Sequence, residues 1–359
     1  MRTPESGSSQ EEEPKIVLRT SHPEDRPSAM AVQWSVGWAE APLRHRTLPE
    51  ADAEWQAQHY FQEIVAEVDG VIAGRVGLEA FCPPFAELVN LSVRRDYRRM
   101  GLGQKLTRAC REAAARRGFS FLFLQTEIDN TAAHRLYTGL GFVPTAHGKM
   151  LRMLEPLDYP LLAEFCLTHP LNQYSCTPIP DAVRAWNLEW NAYVTSDFVR
   201  LRLEGGASKS DSNGIGPALT ECDWRIGDGE RMLSLRIERE DVRDVEPGDH
   251  IELTLHVHNG GERLEGGLFQ MILPPGVRVT SPATNAVQVF RWEVGPDESI
   301  VQPVTVQIDR SFDASVLQHL NYSSLSICME AYWEGNRALL STSIPMAVPL
   351  HSTPRLFAY

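Results

Sequence analysis

The sequence predicts an α+β protein in two parts, a mixed β-sheet flanked by helices over residues 15–155 and an all-β sandwich over residues 181–359. Up to residue 155, strand and helix signals alternate, as in folds where helices cover a sheet. After residue 180, short alternating apolar runs are separated by Gly and Pro turns, which is typical of a sandwich. The charge is also unevenly distributed. Residues 1–155 hold 19 Lys+Arg and 20 Asp+Glu and are nearly neutral. Of the totals of 34 Lys+Arg and 47 Asp+Glu, 15 and 27 remain for residues 156–359, which are therefore acidic.

Composition excludes several classes of protein. The 359 residues, 43% of them hydrophobic, are enough for two cores. No apolar stretch is long enough to predict a membrane span. The start, MRTPESGSSQEEEP, lacks the regions of a secretory signal and predicts a disordered tail over residues 1–14. Six scattered cysteines without a CxxC pair favour reduced thiols in a cytoplasm, and the acidic second part argues against nucleic acid.

Four apolar runs open the first part as strands. Asp69 and Gly70 separate two of them, and Asp-Gly between apolar runs is a strong hairpin signal. Residues 26–59 carry no strand pattern and predict one or two helices with a joint near Pro42 and Pro49. The predicted strands span residues 15–20, 61–68, 71–78 and 87–93.

Two helices alternate with the remaining strands of this part. Apolar residues recur at helical spacing over residues 102–117, and Gly118 ends that helix. Asn130 is a good N-cap for a second helix over residues 131–139. The strands around these helices are predicted at residues 119–125, 141–143 and 150–154.

The loop RRMGLGQ, residues 98–104, lies between a predicted strand and the first of these helices. Amides at a helix start point outward where the helix dipole is positive, and glycines let a ligand approach the backbone. Such a loop suits a phosphate group. It is neither a P-loop nor the GxGxxG dinucleotide fingerprint, and by itself it fits a tight packing turn equally well.

The order of motifs around this loop resembles the GNAT family, the Gcn5-related N-acetyltransferases. The strand ELVNLSV, the loop RRDYRRMGLG, a helix, the strand FLFLQTE and DNTAAHRLYTGLGF follow one another as in that family. Arg98-x-x-Gly101-x-Gly103 is similar to the family's [RQ]xxGx[GA] motif for the pyrophosphate of acetyl-CoA. The resemblance covers about residues 15–155 and implies a GNAT mixed sheet with acetyl-CoA as co-substrate.

The resemblance also implies which residues bind acetyl-CoA. In the family, the strand before the loop splays at a bulge, and its amides pair with the pantetheine and the thioester oxygen. Tyr137 is implied as the general acid that protonates the thiolate; a tyrosine that only closes the core is the alternative. The implied cofactor-binding residues are Asn90, Leu91, Ser92 and Val93 on the strand, Arg98, Arg99, Met100, Gly101, Leu102, Gly103 and Gln104 in the loop, and Asn130 and Tyr137.

An attacking amine must lose a proton. With a pKa near 10, only about one amine in a thousand is neutral at pH 7, so a base helps. Glu87 is the first candidate for this base, followed by Glu127 and Asp129; a solvated strand end is the alternative for each. These carboxylates favour a cationic amine as acceptor, although a hydroxyl is not excluded.

The second part begins with a predicted connector over residues 156–180, with a helix at 161–168. The runs GDHIELTLHVHNGGERLEGG, LPPGV and WEVGPDES resemble the immunoglobulin-like repeat sandwiches of bacterial surface proteins. His250, His256 and His258 share one strand face, where plain exposure is favoured over a metal site. The predicted strands span residues 193–203, 232–239, 249–258, 267–273, 288–294, 304–308, 325–333 and 339–348.

Together these observations predict a cytoplasmic N-acetyltransferase that moves an acetyl group from acetyl-CoA to a primary amine by direct attack. No metal, nucleic acid or membrane is expected. The alternatives are a non-catalytic acyl-CoA-binding or scaffold protein whose sandwich binds a partner or a second copy, and transfer of a larger acyl group. The sequence does not name the acceptor.

Overall fold

A computed structural model provides the structure. It describes residues 14–35, 61–80, 85–146, 150–157, 159–180, 185–205, 218–227, 230–240, 244–282, 288–312 and 324–347.

The first part is built on a seven-stranded sheet in the order β1-β2-β3-β4-β5-β7-β6. Its β4–β5 pair is parallel and its other pairs are antiparallel, so the sheet is mixed as predicted. The strands are β1 Ile16–Thr20, β2 Phe61–Val68, β3 Val71–Ala80, β4 Phe85–Val93, β5 Phe121–Glu127, β6 Val143–Ala146 and β7 Met150–Pro156.

The described residues include four α-helices, and the predicted hairpin and helix positions are confirmed. Asn130 caps one helix as predicted, since its side chain accepts a hydrogen bond from the Ala133 amide at 3.2 Å. Of the helical segment predicted over residues 26–59, the structure describes the first helix, and the proline joint lies outside the described residues. The helices are α1 Arg26–Trp34, α2 Leu102–Arg116, α3 Thr131–Thr138 and α4 Pro160–Thr168.

Helices cover both faces of the sheet. Helix α2 buries Leu102, Leu106 and Cys110 against one face. Gly74 lets α2 come close, because a Cβ at this position would stand 2.9 Å from Leu106 Cδ1. Helix α1 packs on the opposite face, where Val32 joins a small cluster with strands β2 and β3. We call the side of the sheet that α2 covers the helix α2 face and the opposite side the helix α1 face.

The second part is a sandwich of two antiparallel sheets, as predicted. The larger has the order β15-β17-β13-β12-β11-β10-β9-β8 and the smaller the order β16-β14-β18-β19. Apolar residues on the inner faces of both sheets form one core. The strands are β8 Asn172–Pro178, β9 Ala185–Ala192, β10 Phe198–Glu204, β11 Ala218–Ile226, β12 Arg231–Arg239, β13 His250–Asn259, β14 Leu264–Ile272, β15 Val277–Ser281, β16 Val289–Val294, β17 Glu298–Ile308, β18 Ser324–Trp333 and β19 Asn336–Pro345.

Several sequence predictions for this region are wrong in detail. Residues 172–178 form strand β8 rather than connector, and the strand predicted at 193–203 begins at residue 198. Strands β9, β11 and β15 were not predicted. Strands β8 and β15 are the two edges of the larger sheet, where one-sided pairing places weaker demands on apolar alternation.

An aromatic layer joins the two parts. Phe85, Phe121 and Phe123, on the helix α1 face, pack into the same core as helix α4 and the sandwich. Tyr159, which is 1% exposed, donates a hydrogen bond to the Leu339 carbonyl at 2.6 Å and accepts one from the Leu339 amide at 3.0 Å. The two parts therefore share buried structure, which supports bracing as one role of the sandwich, while the predicted boundary at residue 155 stays a prediction.

None of the helices in the described ranges is long and apolar enough to cross a bilayer. The predicted cytoplasmic location stays a prediction.

Candidate active site

Strands β4 and β5 are paired for only half of their length. Their parallel register runs from Phe85 opposite Phe121 to Leu88 opposite Leu124. Beyond that point β4 stays with β3, β5 stays with β7, and the two strands part. We call this opening the fork; its walls are residues 89–93 of β4 and 125–127 of β5. A sheet that opens in its middle leaves backbone groups available to a ligand.

A β-bulge lies in the β4 wall of the fork. Asn90 adopts a left-handed conformation with φ +55°, which Asn tolerates better than most residues. The register with β3 moves by one residue there, from Val89 opposite Gly77 to Ser92 opposite Arg75. After the bulge, Leu91 and Val93 pack on the helix α2 face. The structure thus has both the bulge and the splay where the GNAT resemblance implies them.

The glycine loop leads from this wall into helix α2. Arg99 (φ +68°) and Gly101 (φ +74°) both take left-handed conformations, and Gly101 is the N-cap. The first helical hydrogen bond runs from the Lys105 amide to the Gly101 carbonyl at 3.0 Å. The amides of residues 102–104 therefore precede the helical ladder at the positive end of a 15-residue helix. This arrangement suits a phosphate anion.

The side chains of the loop divide between anchoring and solvent. Leu102 is buried and fixes the helix start to the core, and Met100 is half-buried. Arg98, Arg99 and Gln104 are exposed, so the two arginines can add positive charge beside the amides. The predicted phosphate contacts of Arg98 and Arg99 stay a prediction.

Gly103 borders the gap between helices α2 and α3. A Cβ at Gly103 would lie 3.4 Å from Leu136 Cδ2, which is an ordinary contact. A methyl group therefore fits there, whereas a branched side chain would crowd Leu136 or enter the gap.

Tyr137 lies on helix α3 and packs on the helix α2 face. It is 6% exposed, and its ring centroid is 5.6 Å from that of Phe142. Burial raises the pKa of the Tyr137 phenol above its usual value. The phenol therefore keeps its proton at neutral pH, and a general acid needs such a proton to donate. The buried ring of Tyr137 closes the core, as the alternative stated. The acid role depends on the hydroxyl group and stays a prediction.

Glu87 lies on the opposite face of the sheet, two residues after Phe85. It is 3% exposed, so it is not the solvated strand end that was its alternative. The Gln125 side chain donates from Nε2 to Glu87 Oε1 at 3.3 Å. Glu79 of β3 stands directly opposite Glu87 in the register, so the two carboxylates share one face. The candidate base and the candidate acid thus occupy opposite faces of the sheet beside one fork.

The other two predicted carboxylates lie at the end of strand β5 and just after it. Glu127 and Asp129 are exposed at and after the end of β5. The Glu127 carbonyl is 2.9 Å from His134 Nε2, and the Asn130 side chain is engaged in the cap. The structure does not bring Glu127 or Asp129 together with Glu87, which leaves Glu87 as the buried carboxylate beside the paired end of the fork.

Sequence reasoning missed the polar row beside Glu87 on the helix α1 face. It contains Glu79, Gln125 and a buried ion pair in which Arg75 Nε lies 2.5 Å from Glu63 Oε1. Arg75 also donates to Gln33 Oε1 of helix α1 at 2.7 Å. Burial raises the pKa of Glu63, and the charge of Arg75 opposes that rise. Polar residues at alternate positions of otherwise apolar strands were the available signal.

The three histidines of strand β13 lie on the outer side of the larger sandwich sheet. His256 Nε2 is 3.3 Å from Glu238 Oε2, and His258 Nδ1 is 3.0 Å from Ser299 Oγ. Within the described ranges, no group of three or more His, Cys, Asp or Glu is arranged to hold a metal ion.

The match to a family model agrees with this geometry. Residues 29–142 match the model described as the acetyltransferase (GNAT) family. The fork, the loop and helix α3 all lie within the matched segment.

Curated relatives match part of the chain. The chain is 39% identical over 80 residues to "Probable N-acetyltransferase camello" of Xenopus tropicalis, covering 22% of this chain and 36% of that protein. It is 28% identical over 134 residues to N-acetyltransferase family 8 member 3 of Rattus norvegicus, covering 36% and 59%. The chain therefore spans between about a third and three fifths of the length of these relatives.

Solved structures match part of the chain as well. The ribosomal-protein-S18-alanine N-acetyltransferase of Escherichia coli matches at 22% identity and TM-score 0.34, over 40% of this chain and 95% of that one. PaiA N-acetyltransferase of Thermoplasma acidophilum, solved in complex with coenzyme A, matches at 18% identity and TM-score 0.33, over 40% and 99%.

Proposed function

We propose that this chain transfers an acetyl group from acetyl-CoA to a primary amine. One observation carries the proposal: within a segment that matches the GNAT family model, β4 and β5 part at a bulge directly before a left-handed glycine loop and a helix N-terminus. The loop supplies amides and dipole for the pyrophosphate, and the fork supplies a place for the pantetheine and thioester between two strands.

The reaction needs five changes of bonding. The ammonium group of the acceptor loses one proton to the Glu87 carboxylate. The neutral nitrogen then attacks the thioester carbon, and the new C–N bond leaves a negative oxygen facing the amides of residues 90–93. Collapse of this intermediate breaks the C–S bond, and the leaving thiolate takes the proton of Tyr137. The nitrogen gives up its second proton, which restores Tyr137, and Glu87 releases its proton to solvent. The products are an N-acetyl amine, coenzyme A and one proton.

The charge on the helix α1 face supports a cationic acceptor. Glu79 and Glu87 are opposite each other on adjacent strands and share the helix α1 face. Two carboxylates on one face attract an ammonium group. A neutral hydroxyl acceptor would gain nothing from that charge, so the amine is the better match.

A direct test measures release of the coenzyme A thiol by the full chain. The substrates are acetyl-CoA with putrescine, glycine or a lysine-containing peptide, and propionyl-CoA replaces acetyl-CoA in a parallel series. We expect amine-dependent thiol release with acetyl-CoA and N-acetylated product by mass spectrometry. Faster turnover of propionyl-CoA would point to a larger acyl group.

Binding of acetyl-CoA without thiol release from any amine would favour the alternative, a non-catalytic acyl-CoA-binding or scaffold protein. In that case the sandwich becomes the candidate surface for a partner or a second copy of the chain. The Glu87→Gln variant serves as the control, because it keeps the volume of the side chain and removes the base.

A further inference from the structure

We infer that Gln125 is a positioning residue, which holds the Glu87 carboxylate toward the fork for removal of the amine proton. This inference rests on the proposed function, because it assigns a role within the same site. Gln125 is on β5, in the wall of the fork across from β4.

The placement of Gln125 in the register carries the argument. Glu87 is opposite Phe123 in the parallel pair, and the last backbone pair is Leu88 with Leu124. Gln125 is therefore the first β5 residue past the paired half. Its own backbone partner is Arg152 on β7, so its strand has already turned away from β4 at this position.

The side chain of Gln125 nevertheless reaches back to β4. Its Nε2 donates to Glu87 Oε1 at 3.3 Å, diagonally across the two strands. Residues two apart on a strand share a face, so Phe123 and Gln125 lie on the same side as Glu87. One side-chain hydrogen bond thus spans the strands where the backbone pairing stops.

Such a bond restricts the rotation of the carboxylate. A buried glutamate on a strand has three side-chain torsions, and the last is broad unless a partner fixes it. An amide donor on Oε1 selects one plane for the carboxylate and carries no charge of its own. The glutamine therefore orients the base without neutralising it, which a lysine or arginine at this position would do.

The neighbours of Glu87 give a reason for this restraint. Glu79 is directly opposite on β3, and the Glu63–Arg75 pair lies farther along the same face. The like charge of Glu79 favours rotation of the Glu87 carboxylate away from it. The bond from Gln125 opposes that rotation.

The test is a double-mutant cycle on the full chain with acetyl-CoA and the best amine of the panel. Gln125→Met removes the donor at nearly the same volume, and Gln125→Leu is a second version in case the first does not fold. We expect kcat to fall about tenfold with the KM for acetyl-CoA within about twofold of the native value. Glu87→Gln should lower kcat by about a hundredfold, since a general base contributes at least that much.

The double variant decides between positioning and packing. If Gln125 acts through Glu87, the variant with both changes is no slower than Glu87→Gln alone. Gln62→Leu is the matched control. Gln62 of β2 also donates a side-chain hydrogen bond to a neighbouring strand, to Thr20 Oγ1 at 3.2 Å, but at an exposed position. The kcat of this variant should be native.

Several results would overturn the inference while leaving the acetyltransferase proposal intact. These are a native kcat for Gln125→Met, a native kcat for Glu87→Gln, or a further tenfold loss in the double variant. If the native chain acetylates no amine at all, the proposed function fails and takes the role of Gln125 with it, so the two failures are distinguishable.

Discussion

The two halves of the β4–β5 pair differ sharply although they belong to the same two strands. In the paired half, Phe85, Phe121 and Phe123 cover one face and pack against the sandwich. In the parted half, that face carries Gln125 and then exposed Glu127. Where a third layer buries aromatic rings, the strands stay hydrogen-bonded; where the side chains are polar, the strands separate. One sheet thereby provides both a rigid base and an opening for a ligand.

The energetic contrast explains this difference. Burying a phenylalanine side chain is worth about 1.5–3 kcal/mol, so three of them in one layer hold the paired half firmly. The bulge at Asn90 then interrupts the ladder at the β4 wall. A site placed next to a well-packed layer keeps its geometry without being filled by it.

Filling the gap between helices α2 and α3, beside the glycine loop, should have the largest effect. Gly103→Val places a branched side chain between helices α2 and α3, against Leu136, whose Cδ2 already lies 3.4 Å from the position of a Cβ. We expect the affinity for acetyl-CoA to fall about a thousandfold or more, which is about 4 kcal/mol. Calorimetry measures this directly. Gly103→Ala is the matched control and should bind like the native chain; equal binding by both variants would refute the placement of the pyrophosphate.

Removing the donor on the helix α2 face should have the next largest effect. Tyr137→Phe keeps the ring against Phe142 and deletes only the hydroxyl. Loss of a general acid costs at least about a hundredfold in kcat. Steady-state kinetics and a thermal unfolding curve should show a slow but stable enzyme. A native kcat would leave Tyr137 with the core-closing role alone.

Glu155 of β7 lies next to the paired half on the helix α2 face, and it should make the free energy of unfolding depend on pH. Glu155 is opposite Leu122, and burial raises its pKa from 4.5 to about 7, although Arg111 Nε lies 3.1 Å from its Oε1. Between those two values the folded chain binds a proton that the unfolded chain has released. The free energy of unfolding should therefore fall as pH rises through this window, by about 1–3 kcal/mol.

Glu155→Gln should remove this part of the pH dependence and stabilise the chain above pH 7. Urea unfolding of both proteins at pH 5 and pH 8 checks the prediction. Parallel pH profiles for the native chain and the variant would show that Glu155 is ionised in the folded state like an ordinary glutamate.

The smallest expected effect concerns the link between the paired half and the sandwich. Tyr159→Phe leaves the buried amide and carbonyl of Leu339 without the hydroxyl that serves both. The cost should be about 1–2 kcal/mol of unfolding free energy with unchanged kcat. Tyr193→Phe, at a tyrosine that is 70% exposed, is the matched control and should change neither. A loss of kcat in Tyr159→Phe would mean that the sandwich contributes to the site itself.

The sequence allowed most of the first part to be predicted. Its strands and helices have strong periodic signals, an Asp-Gly hairpin and a good N-cap, so local preferences determine their places. The loop and Tyr137 were identified because their motifs are local as well. Glu79 and Gln125 were missed because their relation to Glu87 depends on register, and one extra residue at Asn90 shifts the β3–β4 register.

The second part was harder to predict for a related reason. Edge strands such as β8 and β15 show little alternation of apolar and polar residues. The pairing of β15 also depends on β17, which does not follow it directly in the chain. The shared aromatic layer was also hidden. Residues 119–125 were predicted as a strand, but only the structure shows that the sandwich and helix α4 cover one of its faces.

Calorimetric titration of the full chain with acetyl-CoA tests the central claim most directly, because the fork and the loop are assigned to that ligand. We expect one acetyl-CoA site per chain with roughly micromolar affinity, and free coenzyme A should compete for this site. Absence of binding at millimolar acetyl-CoA would contradict the account, since a fork and a helix N-terminus that hold no acetyl-CoA cannot be the site of acetyl transfer.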